Sequence, residues 1–262
     1  MAIEQVEKVF LHMDERVAYL TLNRPEALNS MDIEMLNQIL HSLKEVAAND
    51  EVDILVLSGS GRSFSAGGDI KTMLSSTDES AFAPVMELIS EIMKTLYLLP
   101  KLVISAINGP AAGLGLSFAL GADYIIADRQ SRLAMNFIGI GLIPDGGAHF
   151  FLEKRIGEAR AKHLIWEGKP LSPGEALHIG LIDEVAEEEL QTAVIHKVKK
   201  WKKKPVLAMI QTKSIYNQMH LPELEKILEL EKHGQYAMRN TKDHREGIQA
   251  FLEKRKPIFK GE

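Results

Sequence analysis

The sequence has 262 residues, 45% of them apolar and 26% charged, which is the composition of a globular protein rather than of a disordered or fibrous chain. Its net charge of −5 gives no support to a nucleic-acid partner, and the lack of cysteine excludes disulfides and thiolate chemistry. We find neither a signal peptide nor an apolar run long enough for a bilayer, so we expect a cytoplasmic protein with no membrane contact.

The first hundred residues predict strands and helices in alternation. Residues 6–11 and 16–22 have the pattern of a β-hairpin, and Asp32 is placed to cap a helix whose apolar residues recur at helical spacing. Residues 53–58 form a short apolar strand, and residues 84–98 have the pattern of an amphipathic helix.

The same alternation continues through the middle of the chain. Residues 102–107 and 123–127 are predicted strands, and residues 143–147 lead into a further helix. A recurring strand–turn–helix unit of this kind indicates an α/β domain with mainly parallel strand pairing.

The pattern changes to helices alone near residue 190. Pro205 and Pro222 are expected to separate successive helices, because proline disfavours a helix interior. The predicted helices are residues 191–204, 206–217, 222–239 and 243–256. We therefore expect a core over residues 1–190 and a helical region over residues 191–262.

Two glycine-rich turns, residues 59–69 and 108–115, each join a buried strand to a helix. Unpaired backbone N–H groups at helix starts could together bind one developing oxyanion. The alternative is that both turns need small residues only for packing. Neither turn fits a dinucleotide or P-loop pattern, and no histidine pair has zinc-helix spacing, so we expect no metal.

Four segments, taken in order, resemble the crotonase (enoyl-CoA hydratase/isomerase) superfamily. They are LNRPEALN (22–29), FSAGGDI (64–70), INGPAAGLG (107–115) and GIGLIPDGG (139–147). The C-terminal residues 251–259 resemble the family's ending as well. The resemblance implies an α/β spiral of ββα units with a C-terminal helical trimerisation region. It further implies a homotrimer or homohexamer with an acyl-CoA substrate and no separate cofactor.

The resemblance also implies the site residues. The N–H groups of Ala66 and Leu114 are expected to hold the thioester oxygen. Arg24 is expected beside the CoA phosphates, with a solvent-exposed arginine as the alternative. The substrate-binding residues implied in this way are Arg24, Ala27, Gly67, Gly68, Asp69, Ile70, Gly113 and Phe137.

The acid and base side chains distinguish the reactions of this family. Hydratases that resemble this chain carry two glutamates, and the matching positions here are Ser117 and Phe137. Isomerases that shift a double bond from position 3 to position 2 carry one acid, which matches Asp145. The neighbouring Phe137 is expected to raise the pKa of this carboxyl. A helix N-cap is the alternative role for Asp145.

The sequence therefore favours an enoyl-CoA isomerase with Asp145 as its acid and base. An unusual enoyl-CoA hydratase in fatty acid breakdown and a non-catalytic acyl-CoA-binding subunit stay open as alternatives. Weaker candidates for chemistry are the pair Glu87 and Glu91, and a Ser117–His149–Asp145 triad. For these we favour a solvated helix face and a surface histidine.

Overall fold

The computed structural model describes residues 7–69 and 82–262 of the chain. Strands β1 (Val9–Asp14) and β2 (Val17–Leu22) form the predicted hairpin, with Val9 paired to Leu22 and Asp14 to Val17. Pairing continues to Asp14, so the turn is tighter than predicted and places Glu15 at a φ of 50°.

The strands that follow the hairpin are β3 (Ile54–Gly59), β4 (Leu102–Ile107), β5 (Pro110–Ala112), β6 (Tyr124–Ala127), β7 (Arg132–Ala134) and β8 (Glu184–Val185). Six strands form one sheet in the order β1-β2-β3-β4-β6-β8, and every pair after the hairpin is parallel. A second sheet pairs β5 with β7. The predicted α/β class with mainly parallel pairing is confirmed.

Nine α-helices lie in the described part of the chain. They are α1 (Ile33–Ala48), α2 (Phe82–Leu98), α3 (Leu114–Leu120), α4 (Ala148–Ile156), α5 (Glu158–Glu167), α6 (Pro173–His178), α7 (Leu190–Lys202), α8 (Val206–Arg239) and α9 (Lys242–Glu253). Two short 3-10 turns cover Pro25–Ala27 and Phe137–Ile140. Asp32 caps α1 as predicted, since its Oδ1 accepts from the N–H of Met35 at 2.9 Å.

The central parallel strands β3 and β4 are buried on both faces of the sheet, as expected of parallel strands. Along β3, Leu55 and Leu57 belong to the main core with α1 and α2, whereas Ile54 and Val56 face the other side and pack with α7. This alternation follows from the two-residue repeat of a strand. No helix within residues 7–69 and 82–262 is long and apolar enough to cross a bilayer.

The C-terminal helices differ from the prediction at Pro222, because α8 runs through this proline without a break. An interior proline costs about 3 kcal/mol. Leu224 and Leu228 follow it on one helix face and are buried in the main core, which stabilises the helix by about 1.5–3 kcal/mol for each side chain. Tertiary packing thus outweighs the local cost, and the division at residue 190 stays a prediction.

Candidate active site

The two glycine-rich turns lie against each other. The N–H of Ala112 in the second turn donates to the carbonyl of Ser65 in the first at 2.9 Å. Between them Gly67 adopts a φ of +98°, and a Cβ there would lie 2.8 Å from the carbonyl oxygen of Ala112 and 3.4 Å from the nitrogen of Leu114. Only glycine fits this approach, and the closeness brings the two sets of backbone N–H groups to one place.

The structure corrects the predicted donor of the first turn. The N–H of Ala66 donates to the carbonyl of Leu28 at 2.9 Å, so its one hydrogen has an acceptor inside the protein. The N–H of Gly67 lies 3.2 Å from the hydroxyl of Ser65, and the N–H of Asp69 donates to Met31 at 3.0 Å. The N–H groups of Ala66, Gly67 and Asp69 therefore have acceptors inside the protein, which leaves that of Gly68 as the candidate donor of this turn.

The N–H of Gly68 faces away from the neighbouring segment. The N–H of Met31 donates to the carbonyl of Gly67, and the carbonyl of Met31 accepts from the N–H of Asp69. Because the N–H of Gly68 points opposite to the carbonyl of Gly67 in their shared trans peptide group, it points away from Met31. Within the described residues, neither the N–H of Gly68 nor that of Leu114 has an acceptor. Leu114 opens α3, where the first N–H groups have no partner in the helix.

Both of these residues line one cavity of about 360 Å³. The predicted residues that line it are Ala66, Gly67, Gly68, Asp69, Gly113, Leu114, Phe137 and Asp145. Its apolar wall comes from α1, α2 and the segment before α4, through Leu36, Val85, Met86, Ile89 and Leu142. Ile70 lies outside the described residues. Arg24 and Ala27 do not line the cavity.

Arg24 is bound inside the protein, so the alternative of a solvent-exposed arginine is wrong. Its side chain is 17% exposed, and its guanidinium lies 3.1 Å from the carboxylate of Asp69 and 3.3 Å from that of Asp32. It also donates to the carbonyl of Ser30 at 2.6 Å. Arg24 thereby fixes Asp69 at the cavity rim, while Ala27 lies in the adjacent 3-10 turn.

Asp145 lines this cavity and is only 9% exposed. Its Oδ1 has no hydrogen-bond partner among the described residues, and its Oδ2 lies 3.3 Å from Nε2 of Gln235. Burial, and then the negative charge of Glu231, raises the pKa of Asp145 to about 8. The cap alternative is wrong, because α4 begins at Ala148 and has no side-chain cap.

The other carboxylates along the cavity already have cationic partners. Asp32 pairs with Lys8 at 2.7 Å, and Asp69 pairs with Arg24. Glu167 is 62% exposed and pairs with Lys169 at 2.6 Å. Among the cavity-lining acids of the described chain, Asp145 is thus the buried one with an oxygen to spare.

The two hydratase positions hold no acid. The hydroxyl of Ser117 is buried and lies 3.3 Å from the carbonyl of Gly113, and the ring of Phe137 lies 3.6 Å from a Cβ built on Gly113. The candidate triad of Ser117, His149 and Asp145 is wrong, because Nδ1 of His149 contacts Glu231, at 2.7 Å, instead of Asp145.

The weaker acid pair on α2 takes part in surface ion pairs. Glu87 lies 2.6 Å from Lys232, and Glu91 lies 2.5 Å from Lys44. Both glutamates are at least half exposed, as expected of a solvated helix face.

Sequence reasoning missed Glu231 and Gln235, which α8 brings to Asp145. Both residues are 2% exposed. They continue the buried face that begins with Leu224 and Leu228, at spacings of three and four residues. A glutamate and a glutamine on the apolar face of a helix were the available signal, since buried polar groups need partners.

Comparison with known proteins gives one consistent group. The sequence model of the enoyl-CoA hydratase/isomerase family matches residues 12–262. The protein YhaR of Bacillus subtilis (strain 168), whose name places it in that group, is 49% identical over 243 residues, which cover 93% of this chain and 95% of YhaR.

Two further relatives carry more specific names. The 1,2-epoxyphenylacetyl-CoA isomerase of Escherichia coli (strain K12) is 37% identical, over 98% of this chain and 99% of that enzyme. The crystal structure of an enoyl-CoA hydratase from Mycobacterium avium subsp. paratuberculosis K-10 superimposes with a TM-score of 0.87 at 29% identity, over 97% of this chain and 98% of that one.

Proposed function

The chain belongs to the enoyl-CoA hydratase/isomerase family of the crotonase superfamily and is an enzyme of that type, and from this premise we propose that it converts 3-enoyl-CoA to 2-enoyl-CoA. The observation that carries the proposal is Asp145, the one buried carboxylate among the described residues that line the cavity, whose Oδ1 has no partner among those residues. A 1,3 proton shift needs one such group, whereas adding water to a double bond usually needs two.

In the proposed complex the thioester oxygen lies between the N–H groups of Gly68 and Leu114. Both groups line the cavity, and neither has an acceptor in the described part of the protein. Because the donors belong to backbone held by neighbouring segments, they are oriented before the charge develops. Each such donor typically lowers the barrier by about 3–4 kcal/mol.

Asp145 then carries the proton. Its carboxylate removes a proton from C2, and the electron pair of that C–H bond forms a dienolate whose negative charge rests on the thioester oxygen. The same carboxyl returns the proton to C4, which leaves the double bond between C2 and C3. Atoms and electrons balance without an external electron acceptor, so the proposed reaction needs no cofactor beyond the CoA substrate.

The environment of Asp145 suits a base. A thioester C–H is a weak acid, and a carboxylate with its pKa raised to about 8 takes its proton more readily than an ordinary one. Burial is the larger cause of the raised pKa, and the charge of Glu231 is the second. The sequence predicted Phe137 as the cause.

We also propose that the protein is cytoplasmic and forms a homotrimer or a homohexamer. Large apolar side chains of α8 are 59–75% exposed, which supports burial against further copies. They are Leu207, Ile215, Tyr216 and Met219. Light scattering of the purified protein tests the assembly.

The reaction is tested by following the conjugated thioester in the ultraviolet with 3-hexenoyl-CoA and with crotonyl-CoA. We expect turnover of the first, and a fall in kcat of about 10²–10⁴-fold in Asp145→Asn. Glu167→Gln is the matched control, because this carboxylate also lines the cavity but is exposed and paired. Efficient hydration of crotonyl-CoA that persists in Asp145→Asn would instead identify a hydratase.

A further inference from the structure

Glu231 is a buried carboxylate in the middle of the long helix α8. Its Oε2 accepts from the N–H of Gly147 at 2.7 Å, and its Oε1 accepts from the N–H of His149 at 3.1 Å. Nδ1 of His149 also lies 2.7 Å from Oε1. A side chain that is 3% exposed and contacted by three polar groups is a specific buried interaction rather than a chance surface contact.

All three groups belong to the short segment that follows Asp145, namely Gly147 and the first turn of α4. Gly146 and Gly147 follow Asp145 at φ values of +68° and +75°, a conformation that glycine adopts without strain but that needs partners to be fixed. The bonds to Glu231 begin two residues after Asp145 and hold the start of α4. The direction in which Asp145 leaves the backbone therefore depends on a carboxylate from another helix.

We propose that Glu231 is a positioning residue for Asp145, because its carboxylate fixes the Gly146–Gly147 turn that follows Asp145. Its negative charge also strengthens the binding of the proton by Asp145. The role in catalysis rests on the proposed isomerase function. The effect on proton binding does not, because it is a property of the substrate-free protein. The effect of Glu231 on proton binding by Asp145 can therefore be tested separately from the proposed reaction.

The charges around Asp145 favour this interpretation. Helix α8 places Glu231 and the neutral amide of Gln235 beside Asp145. Helix α4 contributes His149, which contacts Glu231. Among the described residues, the other charged groups along the cavity are Asp32, Asp69, Glu167 and Arg239. Of all these groups, Glu231 is the one whose charge acts on the pKa of Asp145, and it acts in the same direction as burial.

The test compares Glu231→Gln, which keeps an acceptor and nearly the same shape, with Glu231→Asp, which keeps the charge. Glu229→Gln is the matched control, because Glu229 lies on the same helix but is 49% exposed and pairs with Lys232. The full-length protein is labelled with [4-¹³C]aspartate, and the carboxyl resonance missing from Asp145→Asn identifies Asp145. Its titration midpoint and the pH profile of kcat/KM are then measured for each variant.

We expect the midpoint of Asp145 to fall by about one pH unit in Glu231→Gln and to stay near the parent value in Glu229→Gln. Glu231→Asp should keep the high midpoint but lower kcat with little change in KM, because its shorter side chain pulls on the turn. An unchanged midpoint in Glu231→Gln overturns the proposal. If the midpoint falls as expected but no variant isomerises 3-hexenoyl-CoA, the proposed function fails and the relation between the two carboxylates stands.

Discussion

The side-chain amide of Gln235 lies 3.3 Å from Oδ2 of Asp145, although ninety residues separate them along the chain. The same amide donates to the carbonyl of Ile143 at 2.5 Å, so it holds both ends of the short segment that presents Asp145. Glu231 approaches from the same helix one turn earlier. Helix α8 is therefore part of the candidate active site, in addition to any part it has in assembly.

The buried carboxyl of Asp145 should make stability depend on pH. Its pKa is raised from 3.8 to about 8, so the folded protein keeps a proton that the unfolded chain releases between these values. Stability contributed by this proton is full below about pH 4 and is lost as the pH rises through 8. Asp145→Asn removes this loss and should stabilise the protein at pH 8.5 by a few kcal/mol, or several degrees in Tm.

Thermal unfolding between pH 4.5 and 9 measures this effect. The gain in Tm of Asp145→Asn over the parent should shrink toward zero at the acid end, where both side chains are neutral. A gain that is constant over this range, or a variant that melts lower at pH 8.5, contradicts a proton held on Asp145.

The pH dependence of the activity should report the ionisation of the same carboxyl, that of Asp145. Because the base must be ionised before it takes a proton from C2, kcat/KM for 3-hexenoyl-CoA should rise about tenfold per pH unit below the pKa of about 8 and level off above it. The measurement is a pH–rate profile of the free enzyme at low substrate. A profile that is already level from pH 5 upward would mean that Asp145 ionises like an ordinary carboxyl.

The backbone at Gly67 should tolerate no side chain. Its φ of +98° and the 2.8 Å approach to the carbonyl of Ala112 mean that Gly67→Ala must push the two turns apart. We expect a loss of about 2 kcal/mol in unfolding free energy. Since small misplacements of catalytic groups are costly, kcat should fall about 10²-fold.

Gly174→Ala is the control for that change, because no atom of the described residues lies within 4 Å of a Cβ there. It should leave both the urea midpoint and kcat near the parent values. Equal behaviour of the two variants would show that the contact between the turns is not needed.

The partners of Arg24 predict a structural role. Arg24→Gln leaves the carboxylates of Asp69 and Asp32 without their guanidinium, which should cost about 2 kcal/mol and loosen the cavity rim. We therefore expect kcat/KM to fall by similar factors for a CoA thioester and for the matching pantetheine thioester, which lacks the nucleotide. A loss confined to the CoA ester would support the predicted contact with CoA phosphates.

Arg16→Gln provides the matched control in the same protein. Arg16 also pairs with a partly buried aspartate, Asp53, but on the hairpin rather than at the cavity. It should lower Tm without changing kcat/KM for either thioester.

The sequence by itself determined the family, the α/β class, the pair of glycine-rich turns and the candidate acid Asp145. It could do so because these features are local: a strand repeats every two residues, Asp32 caps a helix next to it, and glycine at position 67 reports a backbone conformation closed to other residues. The missing acids at Ser117 and Phe137 were equally readable, since a side chain that is absent from the sequence cannot act.

Only the tertiary structure decided which N–H groups are available and what surrounds Asp145. Neighbouring peptide groups in a turn point in different directions, so the choice of Gly68 over Ala66 depends on where Leu28 and Met31 lie. The continuity of α8 through Pro222, and the meeting of Glu231 and Gln235 with Asp145, depend on packing between segments about ninety residues apart. Burial and charge at such meeting points set proton affinities, and they exist only once the chain has folded.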